Sequence, residues 1–341
     1  MQKVTLGKSG ITASVVGLGT WGIGGWMWGG AEDNASVRAI QAAVDGGINL
    51  IDTAPLYGFG HSEEVVGKAI AGRRDSVVLA TKCGIWWEKT PKPAGEGEVH
   101  VYSSGGGLGD EKNYDRILYR YLRPESIRAE LEVSLKRLGT DYIDLYLVHC
   151  QDATSAISAT METLLELKRE GKIRAIGVSN VTPAQLAEYQ ESGYVDVLQE
   201  RFSLIDREIQ QNGMAQTVSD EEMTLMTYSP LAHGLLTGTL SPEVTFSEGD
   251  FRALDPRFSG KSIATTNQKL AELQPLVIKY GVTLAQLVIA WTFSTGPKTC
   301  VLCGARSVKH AEENAQAGGI RLAQEDVELI NSVFTSRKES I

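Results

Sequence analysis

From residue 15 onward, short runs of β-branched and apolar residues alternate with longer stretches whose apolar positions recur at helical spacing. That alternation is the pattern of successive βα units around a parallel sheet. Eight strands are expected, over residues 15–18, 48–52, 77–82, 143–149, 173–179, 197–199, 224–228 and 299–303. Helices are expected between them, among others over 36–45, 62–71, 124–138, 161–170 and 183–191. Gly46-Gly47 and Gly171 follow two of these helices, where glycine supplies a left-handed end. Pro124 and Pro183 fall at first-turn positions, where the missing N–H has no partner to lose.

An open doubly wound sheet is the rival arrangement. Gly17-Leu-Gly19-Thr-Trp-Gly22 lacks the third glycine at dinucleotide-fold spacing, and no acid follows at the ribose position. The expected fold is therefore one (β/α)8 TIM barrel spanning residues 1–341. Residues 3–14 read as a short N-terminal β-hairpin covering the closed end. Two segments fit no repeat, 84–123 and 241–266; the first, and with it the C-terminal face, is expected to carry long loops.

Composition narrows the function. A net charge of −9 argues against nucleic acid, because neutralising a phosphate backbone needs a surplus of Lys and Arg. No apolar run approaches the length of a membrane span and the start lacks an apolar signal core, so a soluble, cytoplasmic protein is expected. Cys300 and Cys303 have redox-motif spacing but sit in one strand, where i and i+3 face opposite sides. They are expected to pack, and no metal site is expected.

In such barrels chemistry lies at the C-terminal strand ends. Asp52 ends the second strand, Tyr57 follows it, Lys82 ends the third and His149 the fourth. Carbonyl reduction leaves charge on oxygen and needs a proton donor aimed at that atom. An ammonium beside a phenol lowers its pKa, so Lys82 is expected to tune Tyr57, with Asp52 holding Lys82 and His149 orienting the carbonyl.

The chain also resembles the aldo-keto reductase superfamily over nearly its whole length, a microbial branch similar to sugar, inosose and general-stress reductases. The resemblance rests on Gly17-Leu-Gly-Thr-Trp21, Ile51-Asp52-Thr-Ala, Tyr57-Gly58, Ser62-Glu63, Thr81-Lys82, Leu135 to Tyr146, Gly177-Val-Ser-Asn180, Tyr228-Ser-Pro-Leu231, Gly234 to Gly238, Gly304-Ala-Arg306 and Glu313-Asn314. It implies Asp52, Tyr57, Lys82 and His149 as a catalytic tetrad. It further implies a nicotinamide ring stacked on Tyr228, its carboxamide held by Ser179, Asn180 and Gln199, with Gly19, Thr20 and Trp21 beside it. Ser229, Leu231 and Gly238 would line the pyrophosphate path. Gly304 opens the last phosphate-binding turn, Arg306 would hold a 2′-phosphate, and Glu313 and Asn314 would meet adenine. NADP(H) is expected to be preferred. His310 stands where the family commonly carries a basic residue, which leaves NAD(H) open as a cofactor.

The chain departs from the family at His149-Cys-Gln-Asp152, at Gln199-Glu-Arg-Phe-Ser203 and at His233, which reads as a solvated loop residue. Trp21, Trp86 and Trp87 are expected to wall the substrate pocket, with the Gly-rich stretches 92–98 and 103–110 mobile. A small polar carbonyl or polyol, sugar-like and drawn from carbohydrate metabolism, is the expected substrate. Direction, oligomerisation and exact substrate stay open. A sugar or cyclitol dehydrogenase running oxidatively, and a cofactor-sensing regulatory subunit, are the alternatives; the intact set of acid-base groups argues against the second.

Overall fold

An antiparallel hairpin, β1 (Lys3–Thr5) and β2 (Thr12–Ser14), opens the chain. The computed structural model describes residues 1–87, 98–102, 116–296 and 298–335. Three barrel strands follow, β3 (Val16–Gly19), β4 (Leu50–Asp52) and β5 (Val78–Cys83). A separate antiparallel sheet then forms from β6 (Ile85–Trp86), β7 (Glu98–Tyr102) and β8 (Arg116–Arg120), in the order β6-β8-β7. The remaining barrel strands are β9 (Ile143–Val148), β10 (Ile173–Ser179), β11 (Val197–Arg201), β12 (Thr224–Tyr228) and β13 (Thr299–Gly304). All eight barrel strands pair in parallel and β13 closes onto β3.

Helices surround this barrel: α1 (Asp33–Asp45), α2 (His61–Ile70), α3 (Pro124–Leu138), α4 (Ile157–Arg169), α5 (Pro183–Ser192), α6 (Glu208–Gln211), α7 (Met214–Asp220), α8 (Gly260–Ala271), α9 (Gln274–Tyr280), α10 (Leu284–Ser294), α11 (Val308–Ala317) and α12 (Gln324–Thr335). No single helix among the described residues is long and apolar enough to cross a membrane.

The two-residue period of the strands sorts their side chains into two cores. Leu50, Val78, Ala80, Leu145, Leu147, Ala175, Val197, Met226, Cys300 and Leu302 fill the barrel, while Val301 and Cys303 face the helix layer. The two cysteines thus point to opposite sides, and both are buried free thiols. Leu6, Ile11 and Ala13 of the hairpin join the inner core and plug its N-terminal end. Leu6 is wholly buried there, which contributes about 1.5–3 kcal/mol.

Differences from the sequence reading lie at element ends. Helix α1 starts three residues early, because the Glu32 carboxylate accepts the N–H groups of Asn34 (2.9 Å) and Ala35 (2.6 Å). Helix α4 starts at Ile157; its cap, Ala156, offers no side-chain acceptor and so no signal in sequence. After α1, Gly46 stays right-handed (φ −75°) and Gly47 takes the left-handed turn (φ 94°), whereas Gly171 is left-handed (φ 76°) as expected. Strand β11 runs two residues past Gln199, with Glu200 opposite Thr227 and Arg201 opposite Tyr228. Of segment 84–123, the two ends supply β6 and β8 and the middle supplies β7, which takes in Glu98 of the stretch 92–98 expected to be mobile; residues 92–97 and 103–110 lie outside the described residues. Segment 241–266 holds short 3-10 turns and then the start of α8.

Candidate active site

Strand ends β4, β5 and β9 bring the four expected groups together. Lys82 Nζ donates to both carboxylate oxygens of Asp52 (2.7 and 2.9 Å), to the Thr53 carbonyl (2.9 Å) and to the Tyr57 hydroxyl (3.2 Å). Lys82 and Asp52 are almost fully enclosed. Tyr57 and His149 are half-buried at the mouth, their rings edge to face with centres 5.9 Å apart. Thr20 braces the pair of strands beneath: its hydroxyl and its N–H both donate to the Asp52 carbonyl (2.9 and 3.0 Å).

Burial raises the Tyr57 pKa above that of a free phenol, opposed by the Lys82 ammonium. The net direction is opposite to the tuning expected from sequence, because in this enclosed site desolvation of a phenolate outweighs one neighbouring cation. Tyr57 is accordingly a protonated donor at neutral pH. Burial pulls Lys82 down, but Asp52 and Tyr57 outweigh it and the ammonium is retained. Burial drives His149 well below the usual imidazole range, and Lys82 and Arg120 push the same way. A neutral imidazole offers one N–H to an oxygen and one lone pair, which suits orientation of a carbonyl.

Beside this cluster lies a set of amides. Gln199 Nε2 donates to Asp52 Oδ2 (2.9 Å), a bond between residues 147 positions apart. Asn180 Nδ2 donates to the His149 carbonyl (2.8 Å) and to Ser179 Oγ (3.1 Å), and Asn180 Oδ1 accepts from the Tyr228 hydroxyl (2.8 Å). Asn180 is left-handed (φ 53°), as are Ser229 (φ 57°) and His233 (φ 58°). Left-handed backbone at non-glycine residues costs on the order of 1–3 kcal/mol each and gathers at functional sites.

Trp21 stacks on Phe251 (5.5 Å between ring centres), lies edge-on to Trp28 (5.2 Å) and His233 (5.7 Å), and faces Tyr57 at 6.5 Å. His233 is therefore not solvated: it is half-buried among Trp21, Trp28 and Phe251, and burial pushes its pKa down to about 3. The loop after β3 reaches across to the segment after β12, where Trp28 bridges Asp250 and the Phe251 N–H donates to the Met27 carbonyl (3.1 Å). Trp28 and Phe251 were missed in sequence because their partners come from segments over 200 residues apart.

Further along the mouth, Arg306 donates to the carbonyls of Trp28 (3.2 Å) and Gly30 (2.6 Å) from an exposed position. Its hydrogen bonds go to neutral carbonyls, and the Asp250 carboxylate is near enough to feel its charge. Ser307 caps α11 by accepting from the His310 N–H (3.2 Å), and His310 is exposed in that first turn. Asn314 is buried and ties its amide to the Gly304 carbonyl (3.1 Å), while Glu313 lies 3.9 Å from Lys309. Leu231 is half-buried in the path from Ser229. Gly238 is left-handed (φ 70°), and a Cβ there would meet Leu284 at 2.7 Å.

Of the tryptophans expected to wall the pocket, Trp87 leans on Phe59 (5.6 Å) and under the Arg137 guanidinium (5.5 Å), and Trp86 pairs with Tyr119 across the small sheet. Gln151, the departure after His149, is buried with its amide bonded to the Asp152 and Ser155 carbonyls and its oxygen accepting from Tyr189, so it supports the loop from below.

A family profile described as "Aldo/keto reductase family" matches residues 15–334. The chain belongs to this family. It is 39% identical over 339 residues to the NADH-specific methylglyoxal reductase of Escherichia coli (strain K12), covering 98% of each. It is 37% identical over 337 residues to the aldo-keto reductase YhdN of Bacillus subtilis (strain 168), covering 98% of this chain and 94% of the other. Among solved structures, the glycerol dehydrogenase AKR11B4 from Gluconobacter oxydans superposes with a TM-score of 0.85 at 33% identity, over 99% of this chain and 97% of that one. An aldo/keto reductase from Klebsiella pneumoniae in complex with NADP and acetate gives a TM-score of 0.69 at 26% identity, over 98% and 96%. As an aldo-keto reductase the chain is an oxidoreductase of carbonyl compounds that uses a nicotinamide cofactor.

The residues present fit such a cofactor. Among the described residues the Trp28 indole N–H is a buried donor with no hydrogen-bond partner, and the Arg306 guanidinium bonds the carbonyl of the same residue. Both suit an anionic ligand at the mouth.

Proposed function

We propose that this aldo-keto reductase prefers NADP(H) and reduces small, polar, sugar-like aldehydes or ketones, with Asp52, Tyr57, Lys82 and His149 as the catalytic groups. The observation that carries the catalytic part is the Asp52–Lys82–Tyr57 chain of bonds ending at a half-buried phenol beside a neutral imidazole. When bound, the nicotinamide supplies or takes the hydride. The chain's own residues do the rest. His149 donates an N–H to the carbonyl oxygen and orients it. Tyr57 gives its proton to that oxygen, and the Lys82 ammonium, held by Asp52, stabilises the phenolate that remains. In the reverse direction the phenolate must accept a proton, and the raised Tyr57 pKa therefore favours alcohol oxidation at alkaline pH.

Ser179, Asn180 and Gln199 form the amide set for the carboxamide, with Tyr228 as the ring platform and Gly19 and Trp21 alongside. Preference for the phosphorylated cofactor rests on Arg306, whose hydrogen bonds among the described residues go to neutral carbonyls. Arg306→Ala is expected to weaken NADPH at least tenfold more than NADH, the scale of one lost charge-assisted bond. Fluorescence titration with both cofactors checks this, and equal losses would reassign Arg306 to holding the loop of Trp28 and Gly30.

Trp21, Trp86 and Trp87 are proposed as pocket walls, since aromatic faces cover the C–H face of a polyhydroxylated substrate. Trp86→Ala is expected to raise KM for the best sugar-like carbonyl about tenfold, the scale of a lost pocket contact, with cofactor affinity unchanged. Steady-state kinetics over sugars, inososes and 2-oxoaldehydes checks it. An unchanged kcat/KM across that panel would mean that the ring only packs the small sheet.

A further inference from the structure

Glu200 is used by none of the steps above, and its placement is unusual for a carboxylate. It is 8% exposed, on the strand that carries Gln199. It accepts the Val181 N–H at 3.1 Å, and the Asn180 N–H is directed to it as well. Those two N–H groups belong to the turn that leaves β10 at the left-handed Asn180. The Asn180 side chain in turn joins the His149 carbonyl, Ser179 and the Tyr228 hydroxyl. A carboxylate that gathers both turn amides fixes the direction of this whole set.

We propose that Glu200 is a positioning residue: it locks the Asn180 turn and thereby sets the amide cradle and the Tyr228 platform for the cofactor. The proposal rests on the reading of Ser179, Asn180 and Gln199 as the carboxamide site.

Burial pushes Glu200 up to about 7, opposed by the Val181, Asn180 and Arg201 N–H groups and reinforced by the Glu208 carboxylate. The charged or titratable groups that face it are Glu208, on α6, and Tyr228, on β12; Arg201, next on its own strand, reaches it through the backbone N–H while its guanidinium lies over the Tyr228 ring. His149 and His233 are both held far below neutrality and stay uncharged across this range. As pH falls through about 7 the carboxylate gains a proton, and one acceptor oxygen is left for the Val181, Asn180 and Arg201 N–H donors. Cofactor affinity should fall in that direction. Folding stability responds with the opposite sign. The folded pKa is raised above that of free glutamate, so the stability Glu200 contributes is present at low pH and lost as pH rises through about 7.

The test is fluorescence titration of the full chain with NADH, which lacks a titrating 2′-phosphate, at several pH values on either side of neutrality, for wild type and Glu200→Gln. Wild type should bind NADH about tenfold more weakly on the acid side than on the alkaline side, the scale of one lost hydrogen bond to a charged group. Glu200→Gln, with one acceptor oxygen at every pH, should stay at the weak value throughout. Wild-type affinity in the variant on the alkaline side overturns the proposal, and so does a weakened variant that keeps the wild-type pH dependence. If the variant fails to fold, a flat wild-type profile overturns it and a sloped one supports it. Absence of NADH and NADPH binding to wild type at every pH would overturn the cofactor-site reading together with the proposal, whereas an unaltered variant overturns the proposal alone.

Discussion

Tyr57→Phe should lower kcat for carbonyl reduction roughly 10²–10⁴-fold, the usual contribution of a positioned general acid, while leaving cofactor affinity at the wild-type value. Phenylalanine keeps the ring that faces Trp21 at 6.5 Å and His149 at 5.9 Å, so the shape of the mouth is retained. Only the hydroxyl is removed, and with it the 3.2 Å bond to Lys82. Lys82 keeps Asp52 and the Thr53 carbonyl as partners, so the variant loses the proton donor without leaving a buried ammonium unpaired. Steady-state rates with a good aldehyde, beside a cofactor titration, separate the two quantities.

Lys82→Met should be the more damaging change to the fold. It removes one member of an ion pair in which both side chains are nearly inaccessible and leaves the Asp52 carboxylate buried with Gln199 as its remaining side-chain partner among the described residues. Breaking such a pair costs about 3–5 kcal/mol, because the charge left behind is uncompensated. The double change Lys82→Met with Asp52→Asn removes both charges and should regain much of that stability. It should not regain activity, since no ammonium then supports the phenolate. The pH profile should also move: without the cation that opposes burial, the Tyr57 pKa rises further, and the alkaline limit of reduction shifts upward. Chemical unfolding of the single and double variants, with pH–rate profiles of the double variant, checks both parts. A double variant as unstable as the single one would mean that the Asp52 charge is not the source of the damage.

The barrel was legible because its strands are apolar runs of fixed length between amphipathic helices, a pattern that needs no knowledge of contacts. The clustering of the proposed catalytic groups was legible for a related reason: Asp52, Lys82 and His149 each end an apolar strand run, and polar residues at that point in a parallel barrel face the open end. What escaped was set by contacts between distant segments. His233 read as solvated, yet Trp21, Trp28 and Phe251 close around it. Glu200 was invisible as a structural residue because strand β11 reads as ending at Gln199, where the apolar run stops, although pairing continues to Arg201. The direction of the Tyr57 shift was also misjudged. A cation beside a phenol is readable from sequence, but the desolvation that outweighs it depends on how completely the mouth encloses the ring. The Arg306 bonds to the loop of Trp28 and Gly30 likewise join residues more than 270 positions apart.

The central claim is that Tyr57 delivers the proton in a carbonyl reduction by a nicotinamide cofactor held at this mouth. It is tested most directly by single-turnover mixing of the protein, preloaded with reduced cofactor, against a saturating small aldehyde, in wild type and in Tyr57→Phe. The account predicts loss of the reduced-nicotinamide signal with formation of the alcohol in wild type, and the same cofactor occupancy with a rate at least a hundredfold lower in the variant. A variant that binds cofactor and turns over at more than a tenth of the wild-type rate would contradict it.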